Sequence, residues 1–72
     1  MMPLTMMNIG EKKQVVKITG KDETRRFLEN LGFTEGSEIT VVSEIAGNMI
    51  VNVKDTRVAI DRNMANRIMV WY

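Results

Sequence analysis

Residues 20–42 read GKDETRRFLENLGFTEGSEITVV, the one stretch in which a helix start, a helix stop and a strand start all occur. Asp22 is the predicted N-cap, because its carboxylate can accept hydrogen bonds from the free backbone N–H groups of the first turn. Gly32 predicts the end of the helix, since glycine adopts the left-handed conformation found just past a last turn. Gly36 marks a second turn, and residues 37–42 then predict a strand. The stretch therefore predicts a helix–turn–strand unit.

The predicted helix has an apolar and a polar face. Residues at i, i+3, i+4 and i+7 share one side of a helix. On the apolar side these are Thr24, Phe27, Leu28 and Leu31, and the polar side carries Arg25, Arg26, Glu29 and Asn30. A helix of about ten residues does not persist alone in water, so Phe27, Leu28 and Leu31 are expected to cover a sheet. Phe33 is expected to fold back onto Leu28.

The rest of the chain predicts short β-strands from alternating polar and apolar residues. The expected strands are 11–19, 37–42, 49–53, 57–60 and 68–71, with a helical turn capped by Asp61 over 61–66. About five strands with one inserted helix predict an all-β fold, a small and partly open barrel in which the first and last strands pair. We expect one domain over 1–72, with residues 1–3 frayed. Trp71 is expected to plug the open end of the barrel, with an aromatic anchor for a partner as the alternative, and both roles stay open for Tyr72.

Composition excludes several kinds of site. The 72 residues contain no Cys and no His, which excludes disulfides, thiolate nucleophiles, imidazole bases and zinc sites of the usual ligand types. Ten basic and nine acidic side chains give a net charge of +1, which argues against a nucleic-acid binder. Nothing resembles a signal peptide or an apolar run of about 20 residues that could cross a bilayer. We expect a cytoplasmic protein without membrane insertion.

Candidate ligand sites in the sequence are weak. Gly20-Lys21 is similar to the end of a phosphate-binding loop, but Val15 stands where the first Gly belongs and Asp22 where Ser or Thr belongs. The carboxylates lack a cation-loop signature, and the seven methionines are read as core filling or adaptable contacts. Catalysis without His or Cys needs paired carboxylates or an activated Lys in a cleft, for which a small filled barrel leaves little room. We expect no enzyme activity, no cofactor and no metal site.

One series of fragments is similar to a known family. The fragments, in chain order, are Leu4, Gly10, Val16, Ile18, Arg26-Phe27-Leu28, Leu31-Gly32-Phe33, Gly36, Val51, Val53, Val58-Ala59-Ile60, Ala65, Ile68 and Val70. Over essentially the whole chain they resemble FeoA, the bacterial ferrous iron transport protein A family, whose domain is an SH3-like barrel with an inserted helix. The chain departs from the family at Asp55, where Gly is frequent, and at Asp61, where a basic residue is frequent.

The resemblance implies a cytosolic accessory protein of ferrous iron uptake. Its implied partner is FeoB, a membrane transporter with a cytoplasmic GTP-binding domain. The predicted contact surface consists of Arg25, Arg26, Glu29 and Asn30. Arginine is favoured there because its planar group binds carboxylates through two hydrogen bonds, although a merely solvated face is the competing interpretation.

The resemblance also leaves other roles open. The same barrel forms the C-terminal regulatory module of iron-dependent repressors related to the diphtheria toxin repressor. A stand-alone regulatory module, or a nucleic-acid-associated barrel, is therefore the alternative function. The chain is expected to be a monomer or to self-associate weakly, and an exposed edge strand is one route to such self-association.

Overall fold

The computed structural model describes residues 1–72, and β-strands are its main secondary structure. Its elements are β1 (Met2–Pro3), a 3₁₀ helix (Leu4–Met6), β2 (Lys12–Ile18), α1 (Asp22–Asn30), β3 (Glu38–Ile45), β4 (Asn48–Val53), β5 (Thr56–Asp61), α2 (Arg62–Ala65) and β6 (Ile68–Val70). All five expected strands are present, with modest shifts at their ends. The all-β class and the inserted helix are confirmed, and β1 is a sixth strand. Neither helix is long and apolar enough to span a membrane.

The strands form one antiparallel sheet in the order β1-β6-β2-β3-β4-β5. Strand β2 joins its two halves, because Lys12–Gln14 pair with β3 whereas Val15–Ile18 pair with β6. The register shifts between Val15 and Lys17, and such an irregularity bends a strand. The sheet thereby curves into a partly open barrel with β1 and β5 as its edges. The expected pairing of the first long strand with the last is confirmed in β2 and β6.

The N-terminal residues differ from the expectation of fraying at 1–3. Met2 pairs with Val70, and Pro3 pairs with Met69. Proline is tolerated here because β1 is an edge strand, where a missing N–H leaves no ladder bond unmade. Leu4 is completely buried directly after the strand and so holds this segment against the barrel.

The start of α1 corrects the prediction that Asp22 is the N-cap. Lys21 occupies that position, with an extended backbone and no capping hydrogen bond from its side chain. Asp22 is instead the first helical residue and Glu23 follows it, so both carboxylates lie at the positive end of the helix dipole. The acidic residue keeps its electrostatic role, but it does not accept the capping bond.

The end of α1 agrees with the prediction. Gly32 has a φ of +112°, and its N–H donates to the Glu29 carbonyl over 2.9 Å. The Phe33 N–H donates to the Leu28 carbonyl over 3.1 Å, which completes a Schellman motif. Phe33 and Leu28 are both fully buried in the same cluster, as their expected association requires. This stop signal turns the chain back into the barrel.

Tight turns join β3 to β4 and β4 to β5. Both central residues of each turn have positive φ: Ala46 (51°) and Gly47 (83°) in the first, Lys54 (47°) and Asp55 (62°) in the second. Two-residue turns of this kind match the twist of antiparallel strands. The left-handed backbone at Asp55 is a physical reason for glycine to be favoured at that position. The predicted Gly36 turn is also present, with a φ of +84°.

The core consists only of apolar side chains. The buried residues are Leu4, Met7, Val15, Leu28, Phe33, Ile39, Val41, Met49, Val51, Val53, Ile60, Ala65, Ile68 and Val70. Trp71 is not among them: it is 57% exposed, so its prediction as a plug is wrong. Strand alternation is the reason, because β6 buries Ile68 and Val70, and the next residue, Trp71, then points outward.

Candidate functional site

The polar face of α1 lies on the protein surface as predicted. Arg25, Arg26, Glu29 and Asn30 are all exposed. The Arg25 guanidinium lies 3.9 Å from the Asp22 carboxylate, and an exposed pair of this kind holds its side chains weakly. Arg26, Glu29 and Asn30 make no side-chain hydrogen bond or ion pair within the chain. Their polar groups are therefore available to another molecule.

Phe27 belongs to the same exposed surface, which corrects its prediction as a core residue. It is 48% exposed, Leu28 is fully buried and Leu31 is half-buried. Helix geometry explains the difference, since the buried side of α1 is centred on Leu28, with Thr24 and Leu31 half-buried beside it, and Phe27 is about 100° away from Leu28 around the helix. Asn30 lies one turn beyond Phe27 on this side of the helix.

We call the five residues Arg25, Arg26, Phe27, Glu29 and Asn30 the helix surface. It includes an aromatic ring and two arginines, residue types that are enriched where proteins bind each other. Sequence periodicity placed four of the five correctly. No clear signal in the sequence indicates the exposure of Phe27, because periodicity assigns it to the same apolar side as Leu28.

Contacts at both ends fix α1 against the barrel. Before the helix, the Thr19 N–H donates to the Arg67 carbonyl over 2.7 Å. A Cβ built on Gly20 would lie 3.3 Å from Cδ of Arg67, so this loop is closely packed. After the helix, a Cβ on Gly32 would lie 3.5 Å from Cγ2 of Val53. The helix thus runs from the loop before β6 to the turn between β4 and β5, and the helix surface is held at a fixed orientation.

A second candidate is an open depression of about 670 Å³ on the outer face of the sheet. Its lining residues are Lys12, Ser37, Glu38, Thr40, Asn52, Val53, Lys54, Asp55 and Arg57. The strand register aligns Lys12, Thr40, Asn52 and Arg57 in one row across β2 to β5. Within the row, Nε of Arg57 donates to Oδ1 of Asn52 over 3.2 Å.

Little room for a cleft was expected from the sequence, whereas the structure has this depression of about 670 Å³. It arises from curvature of the sheet rather than from space inside the barrel. The Lys12 ammonium lies 3.8 Å from the Glu38 carboxylate, with about 60% of each side chain exposed. Such a pair is well solvated and contributes little. The depression offers hydrogen-bonding groups to solvent, but no buried polar side chain lines it.

The acidic side chains are dispersed over the surface. No group of three lies close enough together to hold a metal ion. No buried side-chain nitrogen or oxygen lacks a hydrogen-bond partner, so no interior polar atom points to a missing ligand. The exposed side chains of the helix surface can form hydrogen bonds, ion pairs and apolar contacts with another macromolecule.

Comparison with known proteins shows which family the sequence matches. A family model described as the FeoA domain matches residues 2–71. A protein of Methanocaldococcus jannaschii, provisionally named Fe(2+) transport protein A, is 33% identical over 70 residues, which cover 97% of this chain and 85% of that protein.

Solved structures agree in fold. A crystal structure of an iron uptake regulatory protein (FeoA) superposes with a TM-score of 0.87 at 36% identity, covering 94% of this chain and 92% of that one. FeoA of Stenotrophomonas maltophilia, solved with zinc and described as a procaryotic SH3 domain protein, gives a TM-score of 0.85 at 26% identity, covering 97% and 89% of the two chains. The expected SH3-like fold is confirmed.

The likeness to metal-dependent repressors concerns the fold alone. A manganese-dependent transcriptional repressor superposes with a TM-score of 0.85 at 22% identity. The match covers 94% of this chain but only 39% of the repressor. The barrel thus also occurs as one part of larger regulatory proteins, as the resemblance to the FeoA family implied.

Proposed function

Because this chain belongs to the FeoA domain family, we propose that it is an accessory protein of ferrous iron uptake that docks, in the cytoplasm, on a membrane transporter of the FeoB type. The observation that carries the proposal is the helix surface. Its side chains are exposed, and Arg26, Phe27, Glu29 and Asn30 are not needed to close the core or to pair with neighbouring groups. An accessory protein acts through such a surface rather than through a reaction centre.

The helix surface combines complementary modes of recognition. Arg26 can bind a carboxylate of the transporter through two parallel hydrogen bonds. Phe27 beside it can enter an apolar pocket, and aromatic and Arg side chains carry much of the binding energy in protein interfaces. Because both ends of α1 are fixed to the barrel, little backbone ordering is required on binding.

Docking can regulate the transporter without chemistry on this chain. If the helix surface binds one nucleotide state of the cytoplasmic domain more tightly than another, it shifts the population towards that state. Iron is then the cargo of the transporter, and nucleotide hydrolysis belongs to its GTP-binding domain. The barrel contributes a rigid contact surface with no catalytic step of its own.

The test is binding of the purified chain to the cytoplasmic domain of the transporter, measured by calorimetry with and without a GTP analogue. Arg26→Glu and Phe27→Ala should each raise Kd by at least about tenfold, equivalent to roughly 1.4 kcal/mol. Arg57→Glu is the matched control, because it makes the same charge change on β5 and should leave Kd unchanged. Circular dichroism confirms that each variant is folded.

Two results would overturn the proposal. Unchanged Kd in folded Arg26→Glu and Phe27→Ala would remove the helix surface from the interface. Absence of binding to the transporter domain in every nucleotide state would remove the partner itself. Salt-dependent binding of oligonucleotides in its place would favour the alternative of a nucleic-acid-associated barrel.

A further inference from the structure

Strand β5 is the longer of the two edge strands of the sheet. The opposite edge, β1, has only two residues, and Pro3 has no N–H to offer. β5 has six residues and pairs with β4 without any register shift. Proteins usually guard such edges with prolines, bulges, charged side chains or a covering segment, because free backbone groups can pair with another strand. β5 has no proline and no bulge, and its two charged residues, Arg57 and Asp61, have opposite signs.

The free backbone groups of β5 belong to alternate residues. Val53 and Thr56 flank the two-residue turn before β5, so they form a hydrogen-bonded pair. Alternation then directs the N–H and C=O groups of Val58 towards β4 and those of Arg57 and Ala59 away from it. No backbone hydrogen bond from the turns, loops or caps reaches Arg57 or Ala59. These groups are therefore open to a second strand.

The side chains at the same positions are self-complementary. We propose that β5 pairs antiparallel with β5 of a second copy of this chain, about a twofold axis at Ala59. Residues two positions on either side of the axis then lie opposite each other, so Arg57 faces Asp61 of the second copy. The twofold axis generates this oppositely charged pair twice. Ala59 faces itself, and its small side chain allows the backbones to approach.

Charge selects this register over its neighbours. Centring the pair on Arg57 places two guanidinium groups opposite each other, and centring it on Asp61 opposes two carboxylates. Centring it on Val58 puts Arg57 opposite Ala59, with no charge pairing. Like charges directly opposite across two strands are destabilising, whereas opposite charges stabilise the pair. The Ala59-centred register alone satisfies both charged residues of the edge.

The groups required for pairing are free in the monomer. Arg57 uses Nε for its bond to Asn52, which leaves both terminal guanidinium nitrogens available. Asp61 uses Oδ1 to accept the Met64 N–H over 2.7 Å, which leaves Oδ2 available. Arg57, Ala59 and Asp61 are all exposed. The edge can therefore form two backbone bonds between the Ala59 residues, and the Asp61 N–H of each copy can donate to the opposing Arg57 carbonyl.

The contact is small compared with stable interfaces, so we expect a weak dimer, populated at concentrations on the order of 0.1–1 mM. Sedimentation over this range measures it directly. Arg57→Asp and Asp61→Arg should each be monomeric, because each opposes like charges. An equimolar mixture of the two should recover association, since every cross-strand pair is then of opposite charge.

Further variants separate the edge from other surfaces. Ala59→Pro removes the outward N–H but no bond to β4, and should abolish the dimer in a folded chain. Asp61→Asn retains a side chain able to cap α2 but loses the charge, and should weaken association several-fold. Arg26→Asp, with the same charge change on α1, is the control and should dimerise as the unmodified chain does.

The inference fails if the unmodified chain sediments as a monomer up to 1 mM. It fails equally if a dimer persists in Ala59→Pro, or if the mixture of Arg57→Asp with Asp61→Arg associates no more than either variant alone. These results are independent of transporter binding, which is measured on the helix surface.

Discussion

Leu28 and Phe27 are neighbours in one predicted apolar stripe, but the structure gives them opposite roles. Leu28 has no exposed surface and belongs to the core cluster, whereas Phe27 is 48% exposed. Leu28→Ala removes buried methyl groups and leaves a cavity, which costs about 2–5 kcal/mol in well-packed cores. Phe27→Ala leaves an open surface and no enclosed cavity, so about 1 kcal/mol is expected from the area that is lost. The smaller side chain should therefore be the more costly to remove.

The expected loss at Leu28 is large compared with the whole stability of the domain. At roughly 0.05–0.15 kcal/mol per residue, a chain of this length is stable by about 4–11 kcal/mol. Urea unfolding followed by circular dichroism measures both variants, and fluorescence is less suitable because Trp71 is already exposed. With an m value of about 1–2 kcal/mol/M, Leu28→Ala should lower the midpoint by roughly 2 M and Phe27→Ala by well under 1 M.

The comparison has a clear refuting outcome. Equal midpoint shifts in the two variants would mean that α1 is rotated about its axis relative to the structure described above. A larger shift for Phe27→Ala would restore the sequence-based assignment of that residue to the core. In either case the helix surface would lose its aromatic member, and the docking proposal would rest on polar residues alone.

Three further substitutions test the turns and caps. Gly32→Ala should lower the free energy of unfolding by about 1–3 kcal/mol, because a Cβ is unfavourable at a backbone φ of +112° even where it meets no steric clash. An unchanged midpoint in thermal unfolding would contradict the Schellman motif. Asp61→Ala should cost about 1 kcal/mol by loss of the 2.7 Å bond from the Met64 N–H, and Asp61→Asn should cost much less; similar losses in both would show that the cap is not responsible. Ala46→Asn should stabilise the hairpin by about 0.5–1 kcal/mol, since Asn tolerates φ 51° better than Ala; a lower melting temperature would show that this turn is not strained.

Local sequence signals predicted a feature correctly where the backbone conformation and the side-chain chemistry of the same residues favour the same structure. Gly32 followed by Phe33 specified both the helix stop and its return to the core. Asp61 was predicted to cap α2 and does so. Asp22 was ambiguous, because an acidic residue is favourable both at the N-cap and in the first turn. Which residue is the N-cap depends on the extended backbone of Lys21, and no side-chain pattern in the sequence predicts that conformation.

Features that depend on distant packing could not be predicted in the same way. Periodicity identifies the apolar side of α1, but only the orientation of the helix on the barrel decides that Leu28 is buried and that Phe27 is exposed. The row from Lys12 to Arg57 requires the register of four strands, including a shift between Val41 and Ser43. Residues 1–3 were expected to be frayed, because the pairing of Pro3 with Met69 joins opposite ends of the chain and no local pattern in the sequence indicates it. All three features depend on contacts between residues that are far apart in the sequence.

The interior of this barrel constrains where binding can occur. Every buried side chain is apolar, and no polar side chain is enclosed. Recognition by this chain must therefore use exposed groups, such as the helix surface and the β5 edge. Substitutions at Arg26 or Arg57 remove no core contact, whereas Leu28→Ala destabilises the fold while altering neither surface. Loss of binding with unchanged stability is thus the expected signature of a contact residue. An Arg26→Glu variant that lost transporter binding only in proportion to lost folding would show instead that α1 acts as structural support.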